Sequence, residues 1–352
     1  MTTKDEISSL VQSGELISKQ DLSGIDLSGV DLSGGVFENV DLRGANLSGS
    51  NFKETILVEC DLSGSLCQGT NFHLTMFHKC KFVGARFLDA KIQVVTSAEV
   101  DFTDADFQGA FVKLSHFVGP TLTRTRLRGS TIDRITLLEA RDATGLDISG
   151  LEMPYCCITK ADMRTARFEG TNFSKMVFKD ANFSGLSLAG QNLELTQLMD
   201  ADLTGCNFSG ANLTQTNFKG SDLTGAKLDG VKGKNALFIE ANLKDVSATR
   251  AKFEQAIFIG AKAEGADFSR SDLQQSIFHK ACCVGASFIG ANLTYAELNH
   301  ADLTRCNFTG ATLFRAKLHQ IKDEDALFGA NRAVALGDDP DLAEAENFKP
   351  RY

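Results

Sequence analysis

The sequence lacks the short signatures that announce a catalytic or cofactor site. It has no GxxxxGK(S/T) loop, no GxGxxG run after a strand, no HxxxH spacing among its six histidines and no CxxC pair among its nine cysteines. These absences exclude the usual nucleotide cradles, helical zinc sites and dithiol redox centres. No stretch reads as a secretory leader or a membrane span, so a cytoplasmic, reducing location is expected. Basic residues are also short: 36 against 45 acids give a net charge of −9, which argues against direct binding of nucleic acid. What the chain has instead is a repeated word. From about Asp21 to about Asn331 almost every fifth residue is Leu or Phe, as in ADLTGCNFSGANLTQTNFKGSDLTGA.

A period of five fits neither the helical 3.6 nor the strand 2.0. It fits a chain that turns a corner at every repeat and sends one large side chain inward each time. Two residues before each centre stands a small residue, as at Ala201, Cys206, Ala211, Thr216, Ser221 and Ala226. Small side chains there share a narrow interior with the large centre. Two residues after the centre Gly recurs, where positive φ helps the backbone turn. By this register Cys60, Cys80, Cys156, Cys206 and Cys306 are small inward residues, Cys67 and Cys283 are centres, and Cys157 and Cys282 precede a centre. Packing rather than redox or metal chemistry is their expected role.

The pattern resembles the pentapeptide-repeat family, whose motif reads roughly A(D/N)LxG. That resemblance implies an all-β fold: a right-handed quadrilateral parallel β-helix with four pentapeptides per coil. Fifteen or so coils at about 4.8 Å each would make a rod roughly 70 Å long. In TTKDEISSLVQSGEL, Thr3 and Glu6 read as a capping box, with Ile7, Leu10 and Val11 on one helical side and Gly14 as the stop, so a short N-terminal helix should cap the first coil. The expected organisation is a cap over 1–20, repeat segments over 21–137 and 150–330, a register break at 138–149 and an acidic tail over 331–352. The break is a one-residue phase change within LLEARDATGLDIS: centres run in one residue class from Leu22 to Leu137 and in the next from Ile148 to Phe328.

Carrying the count of four faces through that slip puts Phe37, Leu57, Phe77, Phe117, Leu137, Phe178, Leu198, Phe238, Phe258 and Phe278 on one face. There the residues flanking the centre are large and apolar in about ten of about fifteen pentapeptides, against about eight of about forty-six elsewhere. Val177, Met199, Leu237, Ile239, Ile257, Ile259 and Ile277 are the candidate partner-binding residues of this stripe. A contiguous apolar strip commonly marks a partner surface. Gly233, Ala248 and Ala263 occupy centres, which predicts a thinly filled interior nearby, and KLDGVKGKN suggests a loosened corner.

The Asp residues before Leu centres are the repeat's own wall positions, and an interior packed with Leu and Phe leaves no room for a substrate. The expectation is a protein without catalytic residues, cofactor or metal: a scaffold or adaptor that binds a protein partner or a second copy of itself through the apolar face. The run SGELISKQDLSGIDLSGVDLSGGVFENVDLRGANLSGS is similar to bacterial pentapeptide-repeat proteins associated with type VI secretion, which implies such an adaptor role. The alternative is a DNA mimic that binds DNA gyrase or topoisomerase IV, as the resemblance to the family's quinolone-resistance branch implies. One face carries Asp21, Asp41, Asp61, Asp101, Asp162, Asp202, Asp222 and Asp302, but Lys81, Lys262 and Lys322 interrupt it.

Overall fold

In the computed structural model, which describes residues 3–348, each pentapeptide makes one side of a square coil. The first coil shows the mechanism. Leu22, Leu27, Leu32 and Phe37 point into the interior, and two residues after each the chain turns through a positive φ, at Gly24, Gly29, Gly34 and Asn39. Every fourth corner returns the chain one level along, so Leu16, Val36, Ile56 and Met76 pair as parallel neighbours twenty residues apart. The architecture is the expected right-handed quadrilateral parallel β-helix with an N-terminal capping helix.

The small inward residues hold successive coils together. Thr55 and Thr75 donate their hydroxyls to the carbonyls of Leu32 and Phe52, 2.9 and 2.8 Å away in the preceding coil. Cysteine thiols replace those hydroxyls: Cys80 reaches the Leu57 carbonyl at 3.3 Å and Cys306 that of Cys283 at 2.8 Å. All nine cysteines are free. Burial pushes the thiols of Cys67 and Cys306 up to about 12 and those of Cys156 and Cys206 up to about 11, so they stay protonated at neutral pH.

The chain divides into two compact units, Met1–Asn182 and Phe183–Tyr352. In the first, helix α1 (Lys4–Gln12) opens on the complete Thr3/Glu6 capping box and buries Ile7 and Val11. Leu10 is half-buried. Gly35 leaves the space for this contact, since a Cβ there would meet the Phe37 ring at 2.9 Å and Val11 at 3.2 Å. The cap is shorter than residues 1–20, because the first strand already begins at Leu16. The extra residue of the register break falls between Leu138, still paired at a spacing of twenty with Val118, and Asp142, which pairs with Thr121 at twenty-one. It is taken up at the corner Glu139–Arg141, and beyond it Leu137 pairs with Ile158 and Cys157 with Val177. Phe117 and Phe178 therefore remain on one side of this unit.

One inward position of that side breaks the pattern. Ser97 stands between Phe77 and Phe117, is buried, and its hydroxyl has no hydrogen-bond partner among the described residues. Leaving a buried hydroxyl unpaired costs about 1–3 kcal/mol. Ser97→Ala should accordingly raise stability by about 1 kcal/mol, read as a higher urea midpoint at unchanged slope; a lower midpoint would show that the hydroxyl is satisfied in solution.

In the second unit Phe218, Phe238, Phe258 and Phe278 stack with centroids 4.9, 4.9 and 4.4 Å apart and planes within 9°. A second stack, Phe268, Phe288, Phe308 and Phe328, was not anticipated from sequence; its spacings are 5.3, 4.9 and 4.7 Å. Two features of this unit differ from the sequence expectation. The interior is filled at Gly233, where a Cβ would lie 2.5 Å from the ring of Phe253 one coil on. KLDGVKGKN forms no loop: Lys227 and Lys232 pair regularly with Ser247 and Lys252, and Asp229 accepts from Ser247 Oγ at 2.7 Å and Thr249 N at 2.9 Å.

Residues 331–348 of the acidic tail take helical structure while staying largely exposed. A 3-10 helix over Gly329–Val334 closes the last coil, Leu336 pairs with Lys317, and helix α2 (Pro340–Asn347) starts at the N-cap Asp339 with Pro340 in its first turn. Glu346 on α2 reaches back to His300 and His319, which gives the segment its anchor.

Candidate functional site

The face of the first unit that carries Phe37, Leu57 and Phe77 inward shows a column of apolar residues outward. Leu16, Val36, Ile56 and Met76 are consecutive paired rungs and are 53%, 37%, 37% and 46% exposed. Alternation along a strand explains the geometry: the centre faces the interior, so its neighbours face away. The column continues as Thr96, His116 and Thr136, which are not apolar. Val118, on the other flank, is also exposed.

The residues singled out from sequence sit differently. Val177 in the first unit, and Met199, Leu237, Ile239, Ile257, Ile259 and Ile277 in the second, are all half-buried. Leu237, Ile257 and Ile277 form paired rungs whose edges cover one another, and the column then passes to Glu297 and Lys317, an ion pair at 2.6 Å. Greater apolar exposure in the second unit lies further along, at the corner that leads into this side. Tyr295 and Phe314 meet at 5.8 Å, Arg315 lies over the Tyr295 ring, and Val334 and Leu336 are exposed on the closing turn. Leu16 escaped the sequence count because it precedes the first clear motif, and Tyr295 and Phe314 because each is isolated in sequence.

The acidic columns have a structural explanation. Asp21, Asp26 and Asp31 each accept, through Oδ1, the backbone N–H two residues on, at Ser23, Ser28 and Ser33, with N to O distances of 3.0, 3.0 and 3.1 Å. Hydrogen bonds from those serines hold the three carboxyls below the usual carboxylate range. Asn46, Asn51, Asn212 and Asn292 make the same bond, so the position selects an acceptor rather than a charge. Arg43 and Arg164 further pair with Asp41 and Asp162.

The sequence profile of the pentapeptide repeats matches this chain in eight copies, over residues 21–58, 55–91, 156–194, 196–232, 236–275 and 281–320. The chain belongs to the pentapeptide-repeat family. The stretch that escapes the profile, 92–155, contains Ser97 and the corner that absorbs the extra residue. No curated protein sequence matches this pentapeptide-repeat protein. Among solved structures it is similar to HetL, a pentapeptide repeat protein involved in heterocyst differentiation regulation from the cyanobacterium Nostoc sp. strain PCC 7120, with 22% identity over 88% of this chain and 98% of that one and a TM-score of 0.29. A trypsin-treated variant of QnrB1, a plasmid-mediated fluoroquinolone resistance protein, matches at 16% identity over 58% and 89%, TM-score 0.33. A thylakoid-lumen pentapeptide repeat protein of Arabidopsis thaliana matches at 28% identity over 28% and 61%, TM-score 0.15. These likenesses concern the fold.

Histidines form a further grouping that short spacings in the sequence conceal. His279, His300 and His319 lie on successive coils, with ring centroids 5.2 and 5.4 Å apart. Their separations approximate the coil length, which is the signal that would have found them. Among the described residues no helix is long and apolar enough to cross a membrane.

Proposed function

We propose that this pentapeptide-repeat protein is a non-catalytic scaffold that docks a protein partner, a second copy of the chain included, through its apolar columns. The observation that carries this reading is the contrast between interior and surface. Inside, the void between Phe102, Phe107, Phe117 and Leu127 amounts to about 20 Å³, room for one water-sized sphere and no substrate. Outside, Leu16, Val36, Ile56 and Met76 leave apolar surface in water at every level of four coils. Fully burying such a side chain contributes about 1.5–3 kcal/mol, so a partner that covers the column gains enough to bind. Each within its own unit, Val177 in the first and Met199, Leu237, Ile239, Ile257, Ile259 and Ile277 in the second offer the same kind of surface in a flatter, half-buried form. A place in bacterial type VI secretion, as an adaptor for secreted components, is the setting that the N-terminal run resembles.

The test is the triple variant Val36→Ser, Ile56→Ser, Met76→Ser. It should keep the circular dichroism and melting of the parent, because Phe37, Leu57 and Phe77 are untouched, and should lose self-association in light scattering or partner capture in pull-downs. Unchanged mass together with unchanged partners would sink the proposal. In a parallel assay the purified protein should leave gyrase supercoiling unaffected at stoichiometric amounts, because its carboxylates serve the corners. Potent inhibition would favour DNA mimicry instead.

A further inference from the structure

We propose that His300, His319 and Glu346 form a binding site for a divalent transition-metal ion, which fastens helix α2 to the last coils. The three side chains place their ligand atoms within 4.8 Å of one another. His300 Nε2 lies 3.0 Å from Glu346 Oε1, and His319 Nε2 lies 3.3 Å from Glu346 Oε2. Two atoms bound at about 2.0–2.2 Å to one tetrahedral ion are separated by roughly that distance, so small rotations converge the set on a single point. Two imidazoles and one carboxylate are the donor set of borderline ions such as zinc, with a remaining position for water.

The surroundings form a built site rather than a chance meeting of surface groups. His319 is only 2% exposed although it is a polar ring, and His300 is half-buried. The His300 ring is held edge-on between His279 and His319 by the stacking of coils. Behind His319, the Asp339 backbone N–H donates to Nδ1 at 3.1 Å, and the Asp338 carboxylate stands 3.7 Å from the same nitrogen. Nδ1 thus faces the entry to α2 while Nε2 faces Glu346. Were Nε2 to coordinate an ion, Nδ1 would become a donor and the Asp338 carboxylate is the acceptor beside it, the carboxylate–histidine–metal arrangement common around bound ions. The cost is a small shift at Asp338 and Asp339, the entry to α2.

The proposal is independent of the docking columns and is tested on the full chain with zinc and cobalt as probes. After chelation and desalting, zinc should bind the parent with one site that Glu346→Gln and His300→Ala each weaken at least tenfold. At a zinc concentration about 100 times the dissociation constant the metal-bound form dominates about 100-fold, so hydrogen exchange of the α2 amides should slow in the parent and not in Glu346→Gln. The nine free cysteines are the competing ligands, and cobalt separates the two cases: nitrogen and oxygen ligation shows weak visible bands without a thiolate charge-transfer band. Zinc binding that both variants retain, α2 exchange indifferent to zinc, or a thiolate band lost on cysteine alkylation would each overturn the proposal.

Discussion

Phe258→Ala should cost about 3–5 kcal/mol, the range for removing a fully buried aromatic ring. Phe258 is 0% exposed and sits in the middle of a four-ring stack, 4.9 Å from Phe238 and 4.4 Å from Phe278. Phe253 and Phe268 also pack their edges against it at 5.6 and 5.8 Å. Each well-oriented aromatic pair adds about 0.5–1.5 kcal/mol beyond burial, so the loss should fall toward the upper end. Phe258→Leu provides the control, since Leu serves as the centre at Leu198 and Leu298 on coils of the same kind, and it should cost less than half as much. Because stability in a stacked repeat is close to a sum of nearest-neighbour terms, the alanine variant should also unfold in two steps where the parent shows one. Denaturant titration with hydrogen exchange reads both effects. A cost below about 1 kcal/mol would mean that the neighbouring rings collapse into the space.

The second large effect belongs to the cap. Ile7→Asp should detach α1 from the first coil rather than bury a charge, so the penalty is bounded by what docking contributes. Ile7 and Val11 are the buried residues of that helix, and covering two such side chains is worth about 3–6 kcal/mol. Detachment exposes the free edge of Leu16–Ser18, which pairs with Val36–Glu38 on its other side. An open edge is a template for another chain, so the variant should grow with concentration into species larger than any the parent forms under the same conditions. Size-exclusion light scattering checks the mass and hydrogen exchange the α1 amides. A variant of constant mass with protected α1 amides would show that the helix does not close the edge.

The difference between what sequence revealed and what it hid follows from range. The period of five and the positive-φ corner are local, so coil shape, capping box and phase change could all be read from neighbours in the chain. Contacts at the coil length are regular too, which is why Leu237, Ile257 and Ile277 could be placed on one side before any coordinates. Whether they are exposed could not, since each is shielded by the equivalent residue of the next coil. Gly233 failed for a similar reason: the ring that fills its space belongs to Phe253, and only the direction of that side chain reveals it. Composition marks the closing segment only as acidic and says nothing of its helices. Its order depends on Glu346 meeting two histidines that stand 46 and 27 residues earlier.

The corner at Glu139–Arg141 also bears on how such a chain can change length. Within its unit, one additional residue is tolerated because the turn swells and the next centre still falls on its own wall. Inserting five residues would leave every motif perfect, yet it would hand each later side chain to the adjacent wall and scramble whatever the surface had come to recognise. Only duplication or loss of whole coils lengthens or shortens the binding side without reshuffling it. Conservation of the motif and conservation of the interaction are therefore separate inheritances, and a homologue with flawless repeats can present an entirely different face.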